Sequence, residues 1–182
     1  MAKKAGKVRL VSSKVMFKGG VFEVRRDQII EPGVPKVTRE IVRHPGSVVV
    51  LPVFPDGRIL VIRQYRHATG QYMWELVAGH KEPKEDFRRG AARELQEETG
   101  YSARRYRKLL EIYPSPGLLS ERMVIFLAEG LTKGEAHPEE DEMIEVRSLT
   151  LAEIERWIRN GKIQDAKSVA GLLYYAHFVR RS

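Results

Sequence analysis

No cysteine occurs among the 182 residues, which excludes a disulfide framework, a thiolate metal site and a cysteine nucleophile. Any metal is therefore held by oxygen or imidazole. Long apolar runs are also missing: the longest, Val48 to Phe54, has seven residues, against roughly 20 for a bilayer span. The basic start, MAKKAGKVRL, is not followed by the apolar stretch of ~7 to 15 residues that marks a secretion signal. The sequence thus predicts no membrane crossing and a cytoplasmic location. Glycine and proline, at 15 and 9, are too few for a collagen-like or low-complexity chain. Acidic residues are the scarcer charge, 24 against 32 Lys and Arg, for a net +8. That balance favours polyanionic partners such as nucleic acids, nucleotides or acidic surfaces, without choosing among them.

What is present reads as about one domain of layered α/β type. Residues 1–7 form a basic tail, and Lys14 to Val42 holds short β-rich stretches punctuated by Gly19, Gly20, Pro32, Gly33 and Pro35, predicting a small antiparallel sheet. A hairpin is expected from Ser47–Phe54 and Arg58–Tyr65 around Pro55, Asp56 and Gly57. Further strands are expected at Met73–Val77, Tyr106–Tyr113, Met123–Ala128 and Glu145–Leu149. Helices are expected at Asp86–Thr99, after the capping-box pair Thr150 and Glu153, and at Ser168–Val179.

Against the basic excess, two islands are acidic. The first holds Glu94, Glu97 and Glu98; the second holds Glu139, Glu140, Asp141, Glu142 and Glu145, five acids in seven positions. On a helical wheel Phe87, Ala91, Ala92 and Leu95 mark the apolar stripe, with Glu94 and Glu98 one turn apart at its margin. Gly90 removes bulk one turn before Glu94 and Glu97, predicting a small hollow lined by carboxylates. Like charges so close repel unless a hard cation offsets them, and Mg²⁺ characteristically uses a few carboxylates together with substrate phosphates. A solvated charged face is the bland alternative for the first island, and an exposed acidic loop for the second.

The stretch GHKEPKEDFRRGAARELQEETGY resembles the Nudix box. Gly79, Glu85, Arg93, Glu94, Leu95, Glu97, Glu98, Gly100 and Tyr101 fill its defined positions, a pattern far more specific than a lone glycine-rich loop. The resemblance extends from Phe17 to about Tyr175. It implies an α/β/α sandwich with an N-terminal antiparallel β extension, divided as residues 1–45, a tail and extension exchanged across a homodimer, and 46–182, the catalytic domain. It also implies hydrolysis of a diphosphate linkage with Mg²⁺, or Mn²⁺ as substitute. By matching positions, Glu94 and Glu98 are metal ligands, Glu97 is a further ligand or shares the metal shell, the carbonyl of Ala78 coordinates, and Glu85 and Arg93 support the loop as a salt bridge.

The segment HPEEDEMIEV resembles the catalytic loop of the ADP-ribose pyrophosphatase branch, which implies Glu140 as general base and Glu142 as an additional metal ligand. Pro116, sixteen residues beyond Gly100, resembles the proline of that branch or marks an ordinary turn. Arg63 and Arg66 resemble its RQYR element, with Arg66 the better match for a phosphate contact. Glu75 and Glu121 are further substrate contacts or structural ion pairs. Val77 stands where the branch has proline. The implied substrate is ADP-ribose or another nucleoside diphosphate sugar, cleaved to a nucleoside monophosphate and a sugar phosphate. Two other readings are a non-catalytic nucleotide-sensing regulator, which predicts degenerate box carboxylates or an attached DNA-binding helix pair, and an RNA 5′-end or cap hydrolase. The box is intact, no such helix pair is present, and the basic residues are scattered without an RNA-binding module, so nucleic acid is not the expected partner.

Overall fold

The computed structural model describes residues 6–136 and 143–180, and these form two compact units. The first comprises the described residues up to Gly46 together with Tyr113–Arg122. Its antiparallel sheet runs β1 (Arg9–Lys18), β2 (Glu23–Ile30) and β3 (Val37–Arg43), in that order. Segment 113–122 joins it by backbone pairing: Val42 N–H donates to Leu118 O at 2.9 Å, and Ser120 N–H donates to Val42 O at 2.9 Å. The sheet begins at Arg9, before the Lys14 expected from sequence, and every residue of β1 is exposed.

The second unit comprises Ser47–Ile112 and the described residues from Met123 onward. It holds a seven-stranded mixed sheet: β4 (Ser47–Val53), β5 (Ile59–Arg66), β6 (Gln71–Glu75), β7 (Val77–His80), β8 (Tyr101–Ile112), β9 (Met123–Lys133) and β10 (Glu145–Leu149). The order is β10-β5-β4-β9-β8, with β6 paired to β5 and β7 paired to β4. Helix α1 (Phe87–Thr99) covers one face, where Ala91 and Leu95 meet Val48, Val50, Ile62, Val77 and Phe126. Helices α2 (Leu151–Arg159) and α3 (Ala166–Tyr174) cover the other, where Ile154, Trp157 and Leu172 meet Val49, Leu51, Trp74 and Ile125. Burial on both faces explains why β4 is apolar from Val48 onward and buried at every residue. Its length suits a core strand, and among the described residues no helix is long and apolar enough to cross a membrane. The α/β/α layering and the antiparallel N-terminal sheet agree with the sequence reading.

Two local expectations change. Strands β4 and β5 pair only at Val53 and Ile59, so the hairpin splays open after its turn. The segment read as one strand, Met73–Val77, is instead two strands broken at Leu76. β6 takes the edge of β5 from Ile62 to Arg66, and β7 takes the edge of β4 from Ser47 to Val50. The wedge gives each diverging strand a hydrogen-bonded neighbour, which buried backbone requires. It also brings Glu75 and Gly79 to the split, with Gly79 against Glu94 of α1, while the Ala78 side chain packs on the α2–α3 face.

Candidate active site

Helix α1 starts where the Asp86 side chain accepts from Arg89 N–H at 2.9 Å, and stops at Gly100, whose φ of 72° is the left-handed conformation favouring glycine. Its buried face is Gly90, Ala91, Glu94, Leu95, Glu98 and Thr99. The wheel centred on Phe87 put Glu94 and Glu98 at the rim; the structure places both inside the buried face, at 9% and 4% exposure. Phe87 and Ala92 are only half-buried, so the helix is rotated toward its carboxylates.

One guanidinium organises this cluster. Arg93 lies 2.8 Å from Glu94, 2.8 Å from Glu97, 3.2 Å from Glu85 and 3.8 Å from Glu82, and it donates to the His80 carbonyl at 3.0 Å. Burial works against its charge, but the surrounding carboxylates outweigh that and hold its pKa above the ordinary value. The expected Glu85–Arg93 salt bridge is present, and Glu97 sits on the rim with its side chain 42% exposed. Gly90 serves a different end from the one expected. A Cβ there would stand 2.9 Å from Glu85 Oε2 and 3.3 Å from Val48 Cγ1, so the missing side chain admits Glu85 and opens no hollow beside Glu94.

At Gly79 the approach is closer still. A Cβ would fall 2.0 Å from the Glu94 carboxyl carbon, so that carboxylate lies directly against the backbone of β7, next to Ala78. Two buried carboxylates, a neighbouring main-chain carbonyl and an excess of negative charge over Arg93 make an all-oxygen donor set of the kind Mg²⁺ or Mn²⁺ prefers. Among the described residues no three acidic or imidazole side chains are gathered as metal ligands.

On the α1 face of the β5–β6 pair, Arg66 donates from Nε and Nη2 to the two oxygens of Glu75, both at 2.8 Å. Glu75 is 1% exposed and also receives Lys167 Nζ at 2.5 Å. The hydrogen bonding of Arg66 to Glu75, with the negative fields of Glu75, Glu98 and Asp165, raises the Arg66 pKa despite burial. Arg63 does not join this group. Strand alternation sends residues three apart to opposite faces, and Arg63 stacks 4.8 Å from the Tyr72 ring centroid and lies 3.5 Å from Glu145. It lines a separate cleft of about 410 Å³ with Trp74, Arg147 and Lys162, on the face of β5 opposite to Arg66.

In the first unit, Glu121 is buried at 8% exposure, 3.7 Å from His44 Nδ1, and Pro116 is exposed in the turn of segment 113–122. Glu139, Glu140, Asp141 and Glu142 lie outside the described residues. Lys167 and Asp165 escaped the sequence reading. The available signal was a lysine in the first turn of a helix, where the macrodipole disfavours a cation unless an acid compensates.

The fold, the glycine-backed carboxylates and the Arg93 hub define a class. The NUDIX domain model matches residues 43–172, and this chain belongs to that family. It is 34% identical over 168 residues to the ADP-ribose pyrophosphatase of Bacillus subtilis (strain 168), covering 91% of each chain. It is 37% identical over 167 residues to the ADP-ribose pyrophosphatase of Mycobacterium tuberculosis (strain ATCC 25618 / H37Rv), covering 90% of this chain and 80% of that one. A solved structure described as an ADP compounds hydrolase superposes with a TM-score of 0.84 at 22% identity, covering 99% of this chain and 98% of the other, a likeness of fold.

One pH effect follows from the Arg93 hub. Burial pushes the Glu85 carboxyl pKa up, but the Arg93 hydrogen bond, the Glu82 N–H and the charges of Arg93 and Lys81 outweigh it, leaving the pKa below the ordinary value. A depressed carboxylate adds stability above the unfolded pKa of about 4, and that increment is lost as pH falls through the folded value. Glu85→Gln should therefore lower Tm at neutral pH, with the gap to wild type closing as the pH drops below about 4. A gap that stays constant in thermal melts from pH 7 to pH 3 contradicts this.

Proposed function

We propose that this protein hydrolyses the diphosphate of ADP-ribose or a related nucleoside diphosphate sugar, releasing a nucleoside monophosphate and a sugar phosphate. The observation that carries the reading is the pair of buried carboxylates, Glu94 and Glu98, on the same sheet face as Arg66. Two named ADP-ribose pyrophosphatases at 34% and 37% identity support the substrate class.

Glu94, Glu98 and the Ala78 carbonyl would hold the divalent ion, with Glu97 on its margin and Glu142 as an additional ligand. When bound, Mg²⁺ or Mn²⁺ neutralises diphosphate charge and acidifies a water. Glu140 takes the proton from the attacking water. Arg66 binds and orients the diphosphate, and Arg93 keeps the carboxylates of α1 in place between turnovers. Glu75 acts by fixing Arg66, while Pro116 and Glu121 remain our candidates for substrate contact. A homodimer is supported by β1, where Leu10, Val11, Val15, Met16 and Phe17 are each more than 40% exposed, an apolar edge of the kind a second copy covers. We place the enzyme in the cytoplasm.

The test is a panel of ADP-ribose, ADP-glucose, GDP-mannose, UDP-glucose, a dinucleoside polyphosphate and capped RNA, each with Mg²⁺ or Mn²⁺. The expected result is metal-dependent release of nucleoside monophosphate, highest with a nucleoside diphosphate sugar. Turnover confined to capped RNA, or none with any substrate, overturns the reading.

A further inference from the structure

We propose that Lys167 is a positioning residue for the diphosphate grip: by sharing Glu75 with Arg66, it fixes the direction of that guanidinium and preserves its attraction for anionic substrate. This rests on Arg66 meeting the substrate's phosphates.

The argument begins with hydrogen-bond capacity. A guanidinium offers five N–H donors in a planar fork. Arg66 commits Nε and Nη2 to Glu75, while Nη1 makes no hydrogen bond among the described residues, and the side chain is 35% exposed. A two-point attachment on one edge sets the plane and leaves the other edge available.

Charge comes next. A buried carboxylate held by one arginine would cancel that arginine's charge and leave little for a ligand. Glu75 is held by two cations, because Lys167 Nζ sits on the same Oε2 that accepts from Arg66 Nη2. Asp165 lies 2.9 Å from Lys167, but its Oδ2 is also committed to capping α3, accepting from Ser168 N–H at 3.0 Å and from Ser168 Oγ at 2.6 Å. Lys167 therefore draws on Glu75, and Arg66 keeps part of its positive charge.

The frame is rigid. Ser168 is fully buried, and its Oγ accepts from Leu76 N–H at 2.7 Å, so the first turn of α3 is bonded to the break between β6 and β7, one residue from Glu75 and two from Ala78. Stability alone does not account for the lysine. Lys167 is 7% exposed in the first turn of a helix, where both burial and the macrodipole act against its charge, and an apolar side chain of similar volume is often at least as stable.

The experiment measures steady-state kinetics of the full chain, with its divalent metal and the best nucleoside diphosphate sugar, for Lys167→Met, Arg66→Ala and the double variant. Lys167→Met should raise KM about tenfold with kcat within about threefold of wild type, as loss of a group acting through a binding residue does. In the Arg66→Ala background the same change should leave KM unaltered, because the groups are coupled. Equal KM effects in both backgrounds, or a lowered Tm with unchanged KM, would mean a purely structural lysine and overturn the inference. If Lys167→Met folds poorly, Lys167→Gln, which still donates a hydrogen bond to Glu75 without charge, must show the same rise in KM. An Arg66→Ala variant with wild-type KM would instead defeat the phosphate role of Arg66 itself, so the two failures are distinguishable.

Discussion

Glu98→Gln should lower kcat by roughly two to three orders of magnitude, as loss of a buried electrostatic group at a reacting centre does, while Tm stays within about 3 °C of wild type. The amide has nearly the volume of the carboxylate, so the 4% exposed site stays filled and no cavity opens. Charge is what changes. Glu98 lies one turn from buried Glu94, and neutralising one of two neighbouring carboxylates relieves repulsion in the metal-free protein. In the proposed metal role the same loss removes a hard anionic ligand, and an amide oxygen carries far less charge toward a divalent ion. Two measurements check this together: kcat with Mg²⁺, and the rise in Tm on adding Mg²⁺ or Mn²⁺, which should be present in wild type and much reduced in the variant. A variant with wild-type turnover and an undiminished metal-induced rise in Tm would remove Glu98 from the metal site.

Much of the scaffold was legible because its signals are local. Asp86 and Gly100 bracket α1 by side-chain capping and a left-handed residue, and the Thr150–Glu153 capping box opens α2 as its spacing predicts. The fixed spacing from Gly79 to Tyr101 carried the family. What escaped depends on partners distant in sequence. The turn around Gly57 fixes only the Val53–Ile59 pair, and whether β4 continues beside β5 is decided by β7, some thirty residues away, which pairs with it from Ser47 to Val50. Segment 113–122 joins the N-terminal sheet through Val42 and Leu119, a contact no local pattern announces. Period-two alternation already separates Arg63 from Arg66, three positions apart on β5. Lys167 went unread because its partner, Glu75, is 92 positions away.

Gly79→Ala should abolish most activity while sparing the fold, and the reason is what a methyl group would strike. Its carbon would stand 2.0 Å from both the carboxyl carbon and Oε1 of Glu94, and 2.3 Å from Oε2. These atoms end a flexible side chain, so Glu94 swings aside at modest cost in place of a shift in β7. The Gly79 backbone is not left-handed, so alanine adds no conformational strain, and the pairing of Gly79 with Val48 can persist. Thermal stability should fall by only a few degrees, roughly the scale of 1 kcal/mol in a domain of this size. Catalysis is affected far more, because a displacement of about 1 Å at a catalytic centre costs on the order of a hundredfold, and the carboxylate must move farther than that to clear the methyl. Adding Glu94→Asp to Gly79→Ala provides the decisive comparison. The shorter side chain withdraws the carboxylate from the clash, so the double variant should turn over faster than Gly79→Ala alone, although Glu94→Asp by itself slows the enzyme. Recovery of that kind ties the glycine to the Glu94 carboxylate; wild-type activity in Gly79→Ala, or a double variant no better than the single, breaks the link.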